Sequence, residues 1–404
     1  MKQNPHKILF FCSALLMLVA ILYAWSVFAT HLEETCNWTR VATSAVFTVS
    51  ICSYCVGSII SGILQSRCTV STKLRTAGTL LFGGFLLAGF YPNQMGIFIG
   101  YGILCGCAVG IVYNALLGYA IKWFPGSPGV CNGVLLASYG LATFPITAVA
   151  GWLLRTFGWR GTMFSFGLVE GVLVFFSGFL FTQIPSSKTR LRSGKEATLA
   201  PTISVLCSRS FVCLFIWLMI ITTICLAIVG SATQMTLIFD VPTALANLTP
   251  GIISVFGCMG RLGVGKLFDA VGNIKSTLLD NILVILAIIH MLIAFWTSAY
   301  SVFIIGCFLL GIGYGGMASL CACLVRSLFG AHNYSLNLSV ISLQMIPASI
   351  LGPIFGSSIY EFSKSYTTVC ISFLVLGLLG IPLIICGLKA KGNSYRTSPR
   401  HDLF

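Results

Sequence analysis

What most limits this chain is a series of unbroken apolar runs, each about twenty residues long, that repeats from one end to the other. Apolar and polar residues do not alternate within the runs, so a membrane β-barrel is excluded and helices are selected. Only 8% of the 404 residues are charged, against about 25% in a typical soluble domain. Hydrophobic residues make up 57%, and the mean hydropathy is +0.97. A chain this poor in polar surface has the bilayer as its solvent.

The first run, Ile8 to Thr30, follows Lys2 and Lys7, as a secretory leader would. A leader's apolar region is shorter, roughly 7–15 residues. This run is longer and ends in Tyr23, Trp25 and Phe28, so it reads as a first span. Most of the seventeen cysteines lie inside apolar runs, where Cys acts as a small hydrophobe. The pairs Cys105/Cys107 and Cys321/Cys323 lack further ligands at metal spacing, so neither a metal nor a cofactor is expected. The formal charge of +14 is spread over loops and termini, which argues against a nucleic-acid partner.

Twelve spans are expected, near 8–30, 41–65, 74–92, 95–122, 129–154, 161–184, 209–239, 245–268, 275–298, 300–327, 334–362 and 366–388. With the N-terminus inside, all 23 Lys and Arg, each assigned to its nearer side, divide 19 to 4 in favour of the cytoplasm, and leaving out Arg261, which lies within a span, does not change the outcome. The positive-inside rule then places both termini there. The longest polar connector carries Lys188, Arg190, Arg192 and Lys195 between spans six and seven. The expected organisation is a first six-helix bundle at 1–184, a cytoplasmic linker at 185–208, a second bundle at 209–388 and a tail at 389–404.

The two halves look alike. Gly62 and Leu64, after span two, match Gly265 and Leu267, after span eight, at an offset of 203. Gly106, Gly110 and Phe124 match Gly311, Gly315 and Phe329 at an offset of 205. Two matches at nearly one offset indicate a duplicated six-span unit, with a solute site between the copies.

The loop GKLFDAVGNIK, in which Gly265, Leu267, Asp269, Gly272 and Lys275 fit GxLxDxxGxK, resembles the signature of the major facilitator superfamily. The resemblance implies an all-α membrane protein of twelve helices in two pseudo-symmetric six-helix bundles. It also implies that Asp269 caps a helix end and pairs with a basic residue, latching an inward gate. The first copy departs, with Ser66 in place of the Asp and Thr69 in place of the Gly, although Arg67 remains. The segments YAWSVF, KWFPG and FGWR, with Gly260-Arg261, are similar to the oxalate/formate antiporter branch, which is related to the monocarboxylate transporters.

Arg261 is the foremost candidate for solute contact. It is expected about seven residues, or roughly 10 Å, from the cytoplasmic end of span eight. A guanidinium at that depth faces a cavity or a partner, and its fork suits a carboxylate. The alternatives are snorkelling to the interface and pairing with Asp269 or Asp280. In the antiporter branch the matching Arg contacts the anion, and the oxalate type adds a Lys on span eleven. Here span eleven has no Lys before Lys364, which favours a solute with one acid group.

Tyr23, Trp25, Tyr113, Asn114, Tyr139, Gln234, Tyr314 and Gln344 are candidate cavity residues, each weighed against helix packing. Asp269, Arg67, Lys275, Asp280 and Glu170 are candidates for gating or proton relay, Asp280 within the gate network. His290, mid-span nine, is weighed between a proton relay and a packed, hydrogen-bonded core residue, and Lys122 reads as an interfacial anchor.

The expected function is secondary transport of a small organic anion, a monocarboxylate, by antiport or proton symport at the plasma membrane. The expected partners are a small carboxylate-bearing solute and membrane lipid, with the protein a monomer. The alternatives are a neutral or dicarboxylate solute, or a transporter-like sensor that moves nothing. No HExxH, GxSxG or nucleotide-binding loop is present, so neither an enzyme nor an ATP-driven pump is expected.

Overall fold

A computed structural model describes residues 5–65, 67–91, 93–124, 126–181, 205–246, 248–330 and 333–389. All regular elements among them are helical. In chain order they are α1 (residues 5–36), α2 (Arg40–Ile63), α3 (Val70–Phe90), α4 (Gln94–Trp123), α5 (128–157), α6 (159–177), α7 (Arg209–Leu237), α8 (Thr249–Val271), α9 (Asn273–Thr297), α10 (Tyr300–Phe329), α11 (Tyr334–Ser363) and α12 (Tyr366–Lys389). Residues 185–204 of the expected linker and the tail beyond 389 lie outside the described residues.

Ten stretches are long and apolar enough to cross a bilayer. One of them, Pro128–Ser177, is two helices, broken at Gly158. Gly158 has φ 65° and ψ 179°, a region essentially reserved for glycine, and there the chain reverses between α5 and α6. The twelfth helix, α3, has Lys73 and Arg75 in its opening turns, which dilute its apolar run. The outer surface is apolar, with Phe10, Phe176, Trp296 and Ile354 exposed, as hydrocarbon contact requires.

The duplication recurs in the packing. A Cβ on Gly57 of α2 would strike the Cys107 carbonyl of α4, and one on Gly260 of α8 would strike the Ile312 carbonyl of α10. Gly110 meets the Tyr54 carbonyl in the same way that Gly315 meets that of Gly257. All four second-half residues lie 203 or 205 positions after their counterparts. Small residues let these backbones touch, and the contact is made twice. Pro145 and Pro347 are matched too. Each lies four residues after the point where its helix breaks, at Leu141–Ala142 in α5 and Leu343–Gln344 in α11. A proline ring clashes with the carbonyl four residues earlier, so the breaks follow from the prolines. Pro353 sits inside the unbroken Met345–Ser363 segment.

The turn after α8 differs from its first-half copy. Gly272 has φ 78° and ends α8. Thr69, at the matching place, has φ −71° and caps α3 through its hydroxyl, which accepts from the Thr72 N–H. The Gly-to-Thr departure therefore exchanges a glycine turn for a side-chain cap.

Candidate functional site

The two bundles meet tightly at one end, the end that carries the first residues of α1 and the last of α12. There Asp269, in the last turn of α8, reaches the first turn of α5. Its Oδ1 accepts from the Gly129 N–H and its Oδ2 from the Val130 N–H, both at 2.9 Å. A carboxylate on the orphan N–H groups of a helix start is favoured by hydrogen bonding and by the helix dipole. Close by, the Arg326 Nη1 of α10 donates to the Ile121 carbonyl at 2.7 Å. Deeper in, the Asn114 Nδ2 of α4 donates to the Ser335 carbonyl and Ser339 Oγ of α11, both at 2.8 Å. The Ser339 hydroxyl donates to the Ser58 carbonyl of α2 at 2.7 Å. Asn114 is thus a seam residue and does not line the cavity described below.

Above this seam lies a cavity of ≈ 100 Å³ between the bundles. Phe47, Ile51 and Tyr54 of α2, Tyr113 of α4 and Tyr139 of α5 line one wall, and Arg261 of α8, Tyr314 and Met317 of α10 and Gln344 of α11 line the other. A water occupies about 30 Å³ of liquid, so the space suits a solute of a few heavy atoms. Tyr113 stands edge-on between Tyr54 and Tyr139, with ring centroids 5.5 and 5.4 Å apart.

Arg261 is deeper than the sequence indicated. Helix α8 continues to Val271, ten residues on, so Arg261 is about 15 Å from that end. Its carbonyl accepts from Ser319 Oγ at 2.8 Å, and its Nη1 lies 4.0 Å from Cys258 Sγ. The guanidinium crosses the interface to α5 and occupies the place where a Cβ on Gly140 would stand. Among the described residues no carboxylate pairs with it. Asp269 is engaged with α5, and Asp280 faces elsewhere. A permanently charged fork in an aromatic cavity can hold a carboxylate through two parallel N–H···O bonds.

The remaining candidates fall in different places. The Gln344 Oε1 is buried at the α11 break, without a hydrogen-bond partner among the described residues. Trp25 packs inside the first bundle, its Nε1 donating to the Thr43 carbonyl at 2.8 Å and its ring 4.7 Å from that of Tyr101. Gln234 is exposed on α7. The side chain of Tyr23 lies outside the described residues. Arg67 and Lys275 are exposed at the sealed end, and neither reaches Asp269, so the basic partner implied for that Asp is absent among the described residues. Glu170 is buried in a π-helical turn of α6, in the first bundle and away from the cavity. His290 is partly exposed on α9, its Nδ1 2.8 Å from the Leu286 carbonyl. Asp280 is fully buried in the second bundle and makes no gate contact.

Sequence reasoning passed over Tyr54, Phe47 and Thr222, which also line the cavity. The spacing of Phe47, Ile51 and Tyr54, at i, i+4 and i+7, marks one face of α2 and is the signal that could have found them.

A family model described as Major Facilitator Superfamily matches residues 9–333. An uncharacterized MFS-type transporter, YhjX, of Escherichia coli is 25% identical over 325 residues, 80% of this chain and 80% of its own. The oxalate:formate antiporter of Oxalobacter formigenes is 24% identical over 41% of this chain and 39% of its own length. Monocarboxylate transporter 11 of Mus musculus is 25% identical over 35% of this chain and 31% of its own. A crystal structure of a bacterial homologue of the iron transporter ferroportin, in an outward-facing state, superposes with a TM-score of 0.73 at 16% identity. It covers 95% of this chain and 99% of that one.

Proposed function

The chain belongs to the major facilitator superfamily, and on that premise we propose that it carries a small organic anion with one carboxylate across the plasma membrane by alternating access. The observation that carries this reading is the Arg261 guanidinium, which projects into a cavity of ≈ 100 Å³ without a carboxylate partner among the described residues. A cation left alone among tyrosines is costly, and an anionic solute removes that cost. The relatives named for oxalate, formate and monocarboxylate transport support the class of solute.

One cation sets the charge of the solute. Gln344 lines the cavity wall on α11 and adds no second positive charge, so a monocarboxylate is matched and a dicarboxylate is left with one charge uncompensated. The tyrosine rings supply an apolar body for the rest of the solute. On the orientation expected from the positive-inside rule, the sealed end faces the cytoplasm and the cavity is reached from outside in this state. Loading at Arg261, parting of the Asp269 and Asn114 contacts, and release inside complete the cycle.

The test is a thermal-shift comparison of the purified chain with formate, lactate, oxalate, glycerol and choline. Stabilisation by the monocarboxylates above the others is expected. Stabilisation by the neutral or cationic solutes alone would overturn the reading.

A further inference from the structure

We propose that Asp280 is a proton-binding site in the second bundle, loaded from the central cavity. The inference rests on the anion-carrier reading for its role in coupling, but its chemistry stands on separate observations.

Asp280 lies on α9 seven residues, about 10 Å, from the start of the helix, and is 0% exposed. Both carboxyl oxygens lack a hydrogen-bond partner among the described residues. Its neighbour Asn281 shows that this region supplies partners where they are needed. Asn281 Oδ1 accepts from the Trp217 Nε1 at 3.0 Å, and its Nδ2 donates to the Gly377 carbonyl at 3.2 Å. The carboxyl instead fills a recess formed because residue 316 is glycine, since a Cβ there would overlap Oδ1. An ionised carboxylate in such a recess has neither solvent nor donor, and a bound proton resolves this.

The surroundings select a proton over a metal cation. The titratable side chain that α7 turns toward Asp280 is the Cys225 thiol. Helix α8 presents Val264 beside the recess, and α10 presents Gly313 and Gly316. Helix α12 presents Gly380, against Asn281. None of these last four can ionise. A hard cation needs several oxygen ligands. Among the described residues no cluster of three His, Cys, Asp or Glu is present.

A route from the cavity is short. Thr222 and Met317 both line the cavity, and the Thr222 hydroxyl donates to Met317 Sδ at 3.4 Å. Cys225 is one turn beyond Thr222, and Gly316 immediately precedes Met317. Parting of the Thr222–Met317 pair would bring cavity water to the carboxylate. A hydronium ion then gives its proton to an Oδ and leaves as water, and release reverses the step. With the anion on Arg261 and the proton on Asp280, the loaded carrier moves no net charge.

Infrared titration of the purified full chain in lipid, without solute, reads Asp280 directly. In the native-minus-Asp280→Asn difference spectrum, the carbonyl band of a protonated carboxylic acid is expected at neutral pH. A carboxylate band there overturns the proposal. In proteoliposomes supplied with labelled formate, lactate or oxalate, native protein should concentrate the anion under an inward proton gradient. Asp280→Asn should lose that accumulation while anion exchange stays measurable, which reports a folded carrier. Gradient-driven accumulation equal to native in Asp280→Asn also overturns the proposal. If none of the three anions moves in the native protein, the anion reading fails, while the infrared result still decides the state of Asp280.

Discussion

The guanidinium of Arg261 occupies the space that a side chain on Gly140 would fill. This contact joins the two bundles at the cavity and fixes where the positive charge lies. Adding one methyl group at Gly140 should push the fork out of position. Gly140→Ala is expected to weaken binding of a monocarboxylate about tenfold, worth about 1.4 kcal/mol. The melting temperature without solute should change little, because the displaced group is the far end of a flexible side chain. Titration calorimetry on both proteins checks this.

Asp269 caps α5 across the bundle interface at the sealed end, and in the proposed cycle this contact must part. Asp269→Ala leaves two N–H groups without their acceptor, at a cost of about 1–2 kcal/mol. The population open at that end should rise roughly 5- to 30-fold. Cys131 on α5 and Cys323 on α10 are buried at this seam and report the opening. Their maleimide labelling, followed by mass spectrometry, should accelerate in Asp269→Ala.

Tyr54 supports Tyr113, which in turn touches Tyr139. Removing the first ring by Tyr54→Ala should cost about 0.5–1.5 kcal/mol of aromatic packing and loosen the cavity wall. The expected kinetic signature is a higher KM for uptake with a smaller change in kcat.

If the paired glycine contacts are equivalent, they should fail alike. Gly57→Val and Gly260→Val each drive a branched side chain into a facing carbonyl. Overpacking of this kind costs about 1–3 kcal/mol, more where backbone cannot yield. Both variants should melt lower than native by a similar amount in detergent, whereas Gly263→Val, which faces open space, should not.

The helices were legible because the apolar runs declare themselves, and the duplication because Gly and Phe recur at fixed offsets. The breaks at Ala142 and Leu343 could be read from Pro145 and Pro347. The candidate site was legible only in part. A lone Arg in an apolar run is conspicuous, but its depth depends on where α8 stops, and the helix runs on through Asp269 to the Gly272 turn. Gln234 was chosen for its chemistry, and nothing local to α7 says that it faces outward. Asn114 has the residue type of a cavity lining, yet its partners Ser335 and Ser339 come from the other bundle. Gly140 gave no signal, because its role exists only once α5 and α8 are packed together.

The central claim is that Arg261 holds the carboxylate of the solute. Uptake of labelled monocarboxylate into proteoliposomes by native protein, Arg261→Lys and Arg261→Gln tests it most directly. The account predicts uptake by native protein, a strong loss of affinity in Arg261→Lys, which keeps the charge without the fork, and no saturable uptake in Arg261→Gln. Uptake by Arg261→Gln with native affinity would contradict it.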